Sequence, residues 1–439
     1  MCAILSAPRE RRQVVKPSRR VNSPGRLGMV VSEAGSGMAA GAAFSYVNLG
    51  GSARVALMIT PRGGGAFGEQ ARAVVSVMRT VLAKQPEPMV VTVQTVFLKD
   101  PRDQAECERI LAEGSPSPLP VTNYVLQPPC SGAALALEAW AIGGESVRVE
   151  RFGPHALAVA YDGVRWVYCA GVTPDGALPG VYPQALDALG RLRAALAQAD
   201  SSFERVVRTW LYLGGITEPE TGSQRYQELN RARTDFYRDI RFHSSALAPA
   251  SSCGLYPAST GIGMAGRGLI LSCLALETRR DDIFLLPLEN PRQTPAYAYD
   301  ATHSAQSPKF SRAVALALGH YVTTWVSGTA SIVDSESCYP GDAERQTEQT
   351  IDNIERLIAA NNFTAHGLAG AGARLHDLAK IRVYLKRPED LAKCQAVCQR
   401  RFGAVPAIYA VADICRPELL VEIEGVAFSR YIRPAEPQT

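Results

Sequence analysis

Two glutamates, Glu422 and Glu424, stand two residues apart in the apolar run LLVEIEGVAF near the end of the 439-residue chain. On a strand that spacing turns both side chains to one face. The neighbours Leu419, Leu420, Val421 and Ile423 disfavour a charged carboxylate, and a second acid beside the first raises one pKa further. A carboxyl kept protonated near neutral pH can serve as a general acid. The competing reading is a pair of solvated acids on a strand edge, the usual place for glutamate. Cys415 lies seven residues before Glu422, in ADICRPE; a lone cysteine most often behaves as a small buried apolar residue.

Other chemistries find less support. The ten cysteines contain no CxxC pair, and a long chain with scattered cysteines is no disulfide scaffold. Cys394 and Cys398 share a helical face, but His366 and His376 lack zinc-site spacing to them. The stretch GIGMAGRG (261–268) has no following Lys-Ser/Thr and leads into a strand, so it is not read as a phosphate loop.

The elements that would position these residues recur three times. Each copy opens with a strand pair ending in Gly and continues with an amphipathic helix. A β-rich strand with an aromatic, a second helix and a closing apolar strand follow. The helices are expected at 70–84, 182–199 and 343–359, from apolar residues at helical spacing. The β-rich strands are expected at 90–103, 206–219 and 380–390, with aromatics Phe97, Tyr212 and Tyr384 in register. The closing strands fall at 133–142, 268–276 and 419–427. This β-β-α-β-α-β pattern predicts an α+β fold with helices on one face of a mixed sheet. The other face needs cover, which three copies in one chain can give each other. The expected segments are a disordered basic tail over 1–42, units at 43–150, 151–276 and 307–439, and a crossing segment at 277–306.

Composition narrows the function classes. The net charge is +4, yet residues 1–33 alone carry +5, so the remaining body is −1. A neutral body offers no footprint for nucleic acid. No apolar run approaches the ~18 residues of a membrane span. No secretory leader is recognisable in MCAILSAPRERRQ. The expectation is a cytoplasmic protein with reduced thiols.

Each copy resembles a Rid domain of the reactive-intermediate deaminase superfamily, whose members are typically homotrimers with active sites in clefts between subunits. PAIY (406–409) and VEIEG (421–425) carry the likeness. The resemblance implies tandem Rid-like, chorismate-mutase-like units closing as an intrachain pseudo-trimer, and a monomer or low-order homo-oligomer. It puts the family's pocket acid at Glu422, with Ala136 and Leu271 at that position in the first two copies. It puts the family's catalytic arginine at Ile408, which argues against imine deamination. A longer resemblance covers residues 155–430. NPRQTPAYAYD (290–300), SPKFSRA (307–313), VSGTASIVDSES (326–337), GDAERQTEQTIDNI (341–354) and ADICRPELLVEIEG (412–425) are similar to the chorismatases. RTWLYLGGI (208–216), RYQELNRARTDFY (225–237) and PASTGIG (257–263) fit the same pattern, while Ser335 stands where that pattern has His.

The chorismatase resemblance implies cleavage of the enolpyruvyl ether of chorismate without a cofactor, with Glu422 as general acid. In that family, Gly in the V-S-x-T-A-S motif together with the cysteine of ADIC goes with 3-hydroxybenzoate as product. Ala goes with hydrolysis to a dihydroxycyclohexadiene carboxylate. Gly328 and Cys415 match the first type, and the thiol could assist a proton transfer during aromatisation. A small dicarboxylate needs cations. Candidates in the matching blocks are Arg233, Arg292, Arg312 and Arg382, with Tyr299, Tyr226 and Thr260 supplying hydroxyls. The remaining alternatives are an imine deaminase and a non-enzymatic small-molecule-binding protein.

Overall fold

A computed structural model describes residues 28–34, 40–62, 64–220, 222–243, 256–299 and 306–432. The first sheet contains β1 (Gly28–Ala34), β2 (Ala40–Asn48), β3 (Ala53–Pro61), β4 (Met89–Leu98), β5 (Val121–Val125) and β6 (Leu135–Gly143). Helices α1 (Phe67–Ala83) and α2 (Gln104–Gly114) cover one face. The second sheet contains β7 (Arg148–Phe152), β8 (Ala156–Tyr161), β9 (Val164–Val172), β10 (Val206–Gly214), β13 (Ala258–Met264) and β14 (Leu269–Thr278). It is backed by α3 (Val181–Gln198) and α4 (Arg225–Tyr237), with a small ribbon of β11 (Pro219–Glu220) and β12 (Ser223–Gln224) before α4. The third sheet contains β15 (Phe284–Leu288), β16 (Ala313–Leu318), β17 (Tyr321–Ala330), β20 (Leu378–Leu385), β21 (Ala407–Val411) and β22 (Val421–Arg430). Its helices are α5 (Ala343–Ile358), the short α6 (Ala360–Ala365) and α7 (Leu391–Phe402), and a ribbon of β18 (Ile332–Val333) and β19 (Glu336–Ser337) precedes α5.

The three large sheets share one strand order. It runs β1-β2-β3-β6-β4-β5, β7-β8-β9-β14-β10-β13 and β15-β16-β17-β22-β20-β21. All neighbours are antiparallel except the last pair of each, β4–β5, β10–β13 and β20–β21. The α+β architecture of repeated units is therefore present, with two more strands per sheet than the repeat pattern predicts. One is the leading edge strand, and the other follows the second helix. Both are short, and the sequence pattern alone does not separate them from the loops beside them. The tail expected over 1–42 gives way at Gly28 to β1 and then β2; residues 1–27 lie outside the described residues. The segment expected to cross at 277–306 supplies β15, which pairs with β16 from Phe284↔Ala317 to Leu288↔Ala313.

Strands such as AVALAL and LAKIRVYL are buried along their whole length because both faces are covered. Helices cover one face. The other faces of the three sheets meet in shared apolar clusters, where Trp166 and Trp325 pack with ring centroids 5.3 Å apart. The aligned aromatics Phe97, Tyr212 and Tyr384 all belong to one such cluster. Backbone bonds tie sheet to sheet: Gly263 N–H donates to the Asp413 carbonyl at 2.8 Å, and Cys130 N–H to that of Tyr409 at 2.9 Å. Among the described residues no helix is long and apolar enough to cross a membrane.

Candidate active site

Glu422 is placed by β22, opposite Tyr384 of β20 and Ala330 of β17. The β17–β22 ladder slips between Val326 and Thr329, a β-bulge that holds Gly328. A Cβ on Gly328 would overlap the Glu422 carboxylate oxygen and lie 3.0 Å from its Cδ. The absent side chain is thus what makes room for the carboxyl. Glu422 is 4% exposed and makes no hydrogen bond with another described residue. Burial pushes its carboxyl up to about 8, helped by the charge of Glu424 and opposed by Arg208 and Arg312.

Glu424, two residues on, behaves oppositely. Burial favours its neutral form, but Arg382, Arg208, Lys380 and the Thr260 hydroxyl outweigh burial and bring it down to about 2. Its ion-pair partners are Arg208 Nη2 at 2.6 Å and Arg382 Nη1 at 3.1 Å, with Lys380 Nζ at 3.9 Å. Near neutral pH the strand presents one neutral acid and one fixed anion.

A cavity opens over Glu422 between the second and third sheets. Glu422, Gly328, Cys415, Arg312, Tyr299 and Tyr226 all line it, so these six predicted residues converge. Arg312 donates to the Tyr299 hydroxyl at 2.6 Å and to the Thr294 carbonyl at 3.0 Å, while its buried Nε has no hydrogen-bond partner among the described residues. Burial pushes the Cys415 thiol up to about 12, and the nearby Glu422 adds to this, so it is protonated at neutral pH. The Tyr226 hydroxyl is raised too, chiefly by burial. The ring of Tyr226 sits where a Cβ on Gly261 would be 2.8 Å away, so this second glycine gives the ring its place. Thr260 and Arg233, expected to touch substrate, do not line the cavity and stand one layer behind it. Arg233 Nη1 reaches Ser259 Oγ at 3.3 Å, its guanidinium lies 5.7 Å from the Phe310 ring, and both partners line the cavity.

Two more expected substrate contacts, Arg292 and Arg382, lie farther from the cavity. Arg292 is exposed, and its carbonyl accepts the Asp334 N–H at 2.8 Å. Arg382 is buried among Glu138, Glu424, Tyr212 and Thr95 on the far side of Glu424. Spacing cannot separate a buried structural arginine from a binding one. The register also moves the second-copy counterpart of Glu422. Tyr384 faces Glu422 and Phe97 faces Ala136, but Tyr212 faces Ile270, the neighbour of the expected Leu271. Ile408 does not line this cavity, although its apolar cluster reaches it through Ala330 and Ile332; the strand facing Glu422 is β13, with Ser259 and Gly261.

Arg416 was not anticipated. It lines the cavity, donates to the Ser335 carbonyl at 2.8 Å and to Ser337 Oγ at 3.2 Å, and lies 5.5 Å from the Tyr299 ring. Its place directly after Cys415 was the available signal. Asn230, one turn after Tyr226 on α4, also faces the cavity. Two guanidinium groups, Arg312 and Arg416, therefore line the cavity with a neutral acid and a neutral thiol, and a third, Arg233, stands behind the lining. Such an arrangement can hold an anion.

Family models match in two parts. Residues 138–275 match the model described as chorismatase FkbO/Hyg5-like, N-terminal, and residues 303–429 match endoribonuclease L-PSP. The chain is 33% identical over 295 residues to the 3-hydroxybenzoate synthase of Streptomyces hygroscopicus, covering 66% of this chain and 80% of that one. The chain belongs to the chorismatase family. It is also 31% identical to a chorismatase of Streptomyces rapamycinicus, over 61% of this chain and 78% of the other. A crystal structure of a chorismatase shares the fold, with a TM-score of 0.57 and 23% identity over 77% of this chain and 93% of that one. In this chorismatase-family chain the cavity residues Tyr226 to Gly261 fall in the first matched segment, and Arg312 to Glu422 fall in the second. The site is thus made by the two matched parts together with Tyr299, which lies between them.

Proposed function

We propose that this enzyme converts chorismate to pyruvate and 3-hydroxybenzoate, with Glu422 as the general acid. The observation that carries the reading is the buried Glu422 carboxyl, without a hydrogen-bond partner among the described residues, pushed up to about 8 by burial and lodged against Gly328. Chorismate has two carboxylates, a ring diene and an enolpyruvyl ether. Transfer of the Glu422 proton to the ether's methylene carbon gives an oxocarbenium-like centre; the ring C–O bond then breaks to release pyruvate while the neighbouring ring hydroxyl oxygen bonds to the vacated carbon and gives up its proton, and reopening of that bridge at the oxygen's original carbon, with loss of the ring proton, leaves the hydroxyl meta to the carboxylate. Such a step needs an acid that is still protonated at neutral pH, and burial supplies it. Arg312 and Arg416 suit the carboxylates, with Arg233 behind them, and Tyr226 and Tyr299 offer hydroxyls. The products together hold all the atoms of chorismate, so no water is consumed overall. The Cys415 thiol, neutral and beside Glu422, is suited to handing on the ring proton lost during aromatisation.

The test is incubation of the purified chain with chorismate, following pyruvate release and separating the aromatic products. The expected result is pyruvate in equal amount to 3-hydroxybenzoate. A dihydroxycyclohexadiene carboxylate in its place would move the enzyme to the hydrolytic type. Absence of pyruvate would overturn the reading.

A further inference from the structure

Glu424 is buried yet fully charged, and the catalytic proposal gives it no task. Its surroundings do. One carboxylate oxygen takes Arg208 Nη2 at 2.6 Å and the Thr260 hydroxyl, and Trp210 Nε1 lies 3.1 Å from both oxygens. Thr260 Oγ1 accepts Arg208 Nη2 at 2.5 Å and, on its other side, the backbone N–H of Gly328 at 3.0 Å. All bonding capacity of that hydroxyl is in use, so its orientation is set. Gly328 sits in the bulge whose missing side chain admits the Glu422 carboxyl, and its would-be Cβ lies 3.1 Å from Thr260 Cγ2. An unbroken chain of bonds thus runs from the buried ion pair to the backbone that cradles Glu422.

We infer that Glu424, through Arg208 and Thr260, is a positioning residue that fixes the Gly328 bulge and holds a permanent negative charge beside the Glu422 carboxyl. The inference deepens the reading of Glu422 as the acid and rests on it for its kinetic test. The charged and titratable groups around Glu424 are few. Arg208 comes from β10 with Tyr212, Lys380 and Arg382 come from β20 with Tyr384, Glu138 comes from β6, and Glu422 shares its own strand. Neutralising Glu424 removes a like charge from the vicinity of Glu422 and leaves three cations less balanced. Both changes favour ionised Glu422, so they act in the same direction.

The experiment uses the full chain with Glu424→Gln, Thr260→Val and Thr260→Ser. In Glu424→Gln the basic limb of the kcat–pH profile is expected to move down by about one pH unit or more. In Thr260→Val every charge remains but the Gly328 amide loses its acceptor. There kcat is expected to fall by about 10²-fold with KM nearly unchanged, since small misplacement of a catalytic group has that cost. Thr260→Ser keeps the hydroxyl and should restore the rate. An unmoved basic limb in folded Glu424→Gln, or a wild-type kcat in Thr260→Val, would overturn the inference. Should Glu424→Gln fail to fold, the Thr260 pair decides. If the wild type releases no pyruvate, the inference is read from 13C carboxyl titration, with Glu422→Gln giving the assignment. An unshifted Glu422 titration in Glu424→Gln would then refute the inference independently of the substrate.

Discussion

At the scale of residues, two glutamates of identical chemistry are driven apart by what each one faces. Glu422 faces the cavity without an ion-pair partner among the described residues, whereas Glu424 meets two guanidinium groups and an ammonium. Replacing Glu422 by Gln keeps the shape and removes the proton. The expected outcome is a loss of kcat of about 10²–10⁴-fold with KM little changed, read from steady-state pyruvate release. The pH sign follows from the raised pKa. The active form is the protonated one, so wild-type kcat should be flat below neutrality and fall as pH rises through about 8. The same group makes the fold less stable across that window. Folded Glu422 holds its proton above the ordinary value of 4.5, so its contribution to stability is lost as pH rises towards about 8. Gly328→Ala is predicted to push the carboxyl off its place. We expect kcat to drop by about 10²-fold and the ratio of 3-hydroxybenzoate to other products to change, as measured by chromatography. An unchanged rate and product ratio would show that the carboxyl has room to move.

At the scale of elements, the cavity depends on features of the strands more than on the helices. The bulge in β17 turns Gly328 and Ser327 out of the ladder. Ser327 Oγ then accepts the Ser259 N–H at 2.9 Å and donates to the Ser311 carbonyl at 2.6 Å, stitching β13 of the second sheet to the third. Ser327→Ala leaves a buried amide without that acceptor. It is expected to lower stability by about 1–3 kcal/mol, visible as a lower urea midpoint, and to loosen the wall opposite Glu422 with a rise in KM. These elements were unevenly legible. Helices with long apolar stripes, such as α1 and α5, and strands with continuous apolar runs announce themselves by period. The five-residue β5 and β21 and the seven-residue β13 are too short and mixed for that, yet β13 supplies Ser259 and Gly261 to the cavity. Glu422, Gly328 and Cys415 were legible because the motifs around them are continuous in sequence. Arg416 stands in the same motif as Cys415 and carries the same signal, whereas Arg208 was not legible, because its role comes from strands brought together by the fold. Arg292 and Arg382 show the converse, since their blocks match the family pattern while their side chains point to solvent or to a buried ion pair.

At the scale of the whole molecule, three similar sheets bury their inner faces against one another, and a cluster of charges lies among them. Arg382 of the third sheet reaches Glu138 of the first across 244 positions of sequence and also touches Tyr212 of the second. Glu138 is likewise paired with Lys380 at 3.1 Å. Burial would favour neutral Glu138, but Arg382 and Lys380 outweigh it and hold the carboxyl below its ordinary value. The resulting stability is present above about 4.5, the ordinary value, and is lost as pH falls through the lower, folded one. Acid should therefore loosen the contact between first and third sheets. Mutation offers a sharper test, because a buried pair is costly to break yet contributes little when replaced as a unit. Arg382→Met alone is expected to lower stability by about 3–5 kcal/mol in urea unfolding, since it strips Glu138 of its main partner. Arg382→Met with Glu138→Leu removes one charge of each sign from the cluster and should recover most of that loss. If the single variant unfolds at the wild-type midpoint, the sheets are held by their apolar faces alone. If the double variant is no better than the single one, the loss lies in packing around Phe97 and Trp210, over which the Arg382 guanidinium sits at 5.5 and 5.9 Å. Recovery in the double variant would assign the ion pair to registering the sheets and leave the apolar faces as the source of their cohesion.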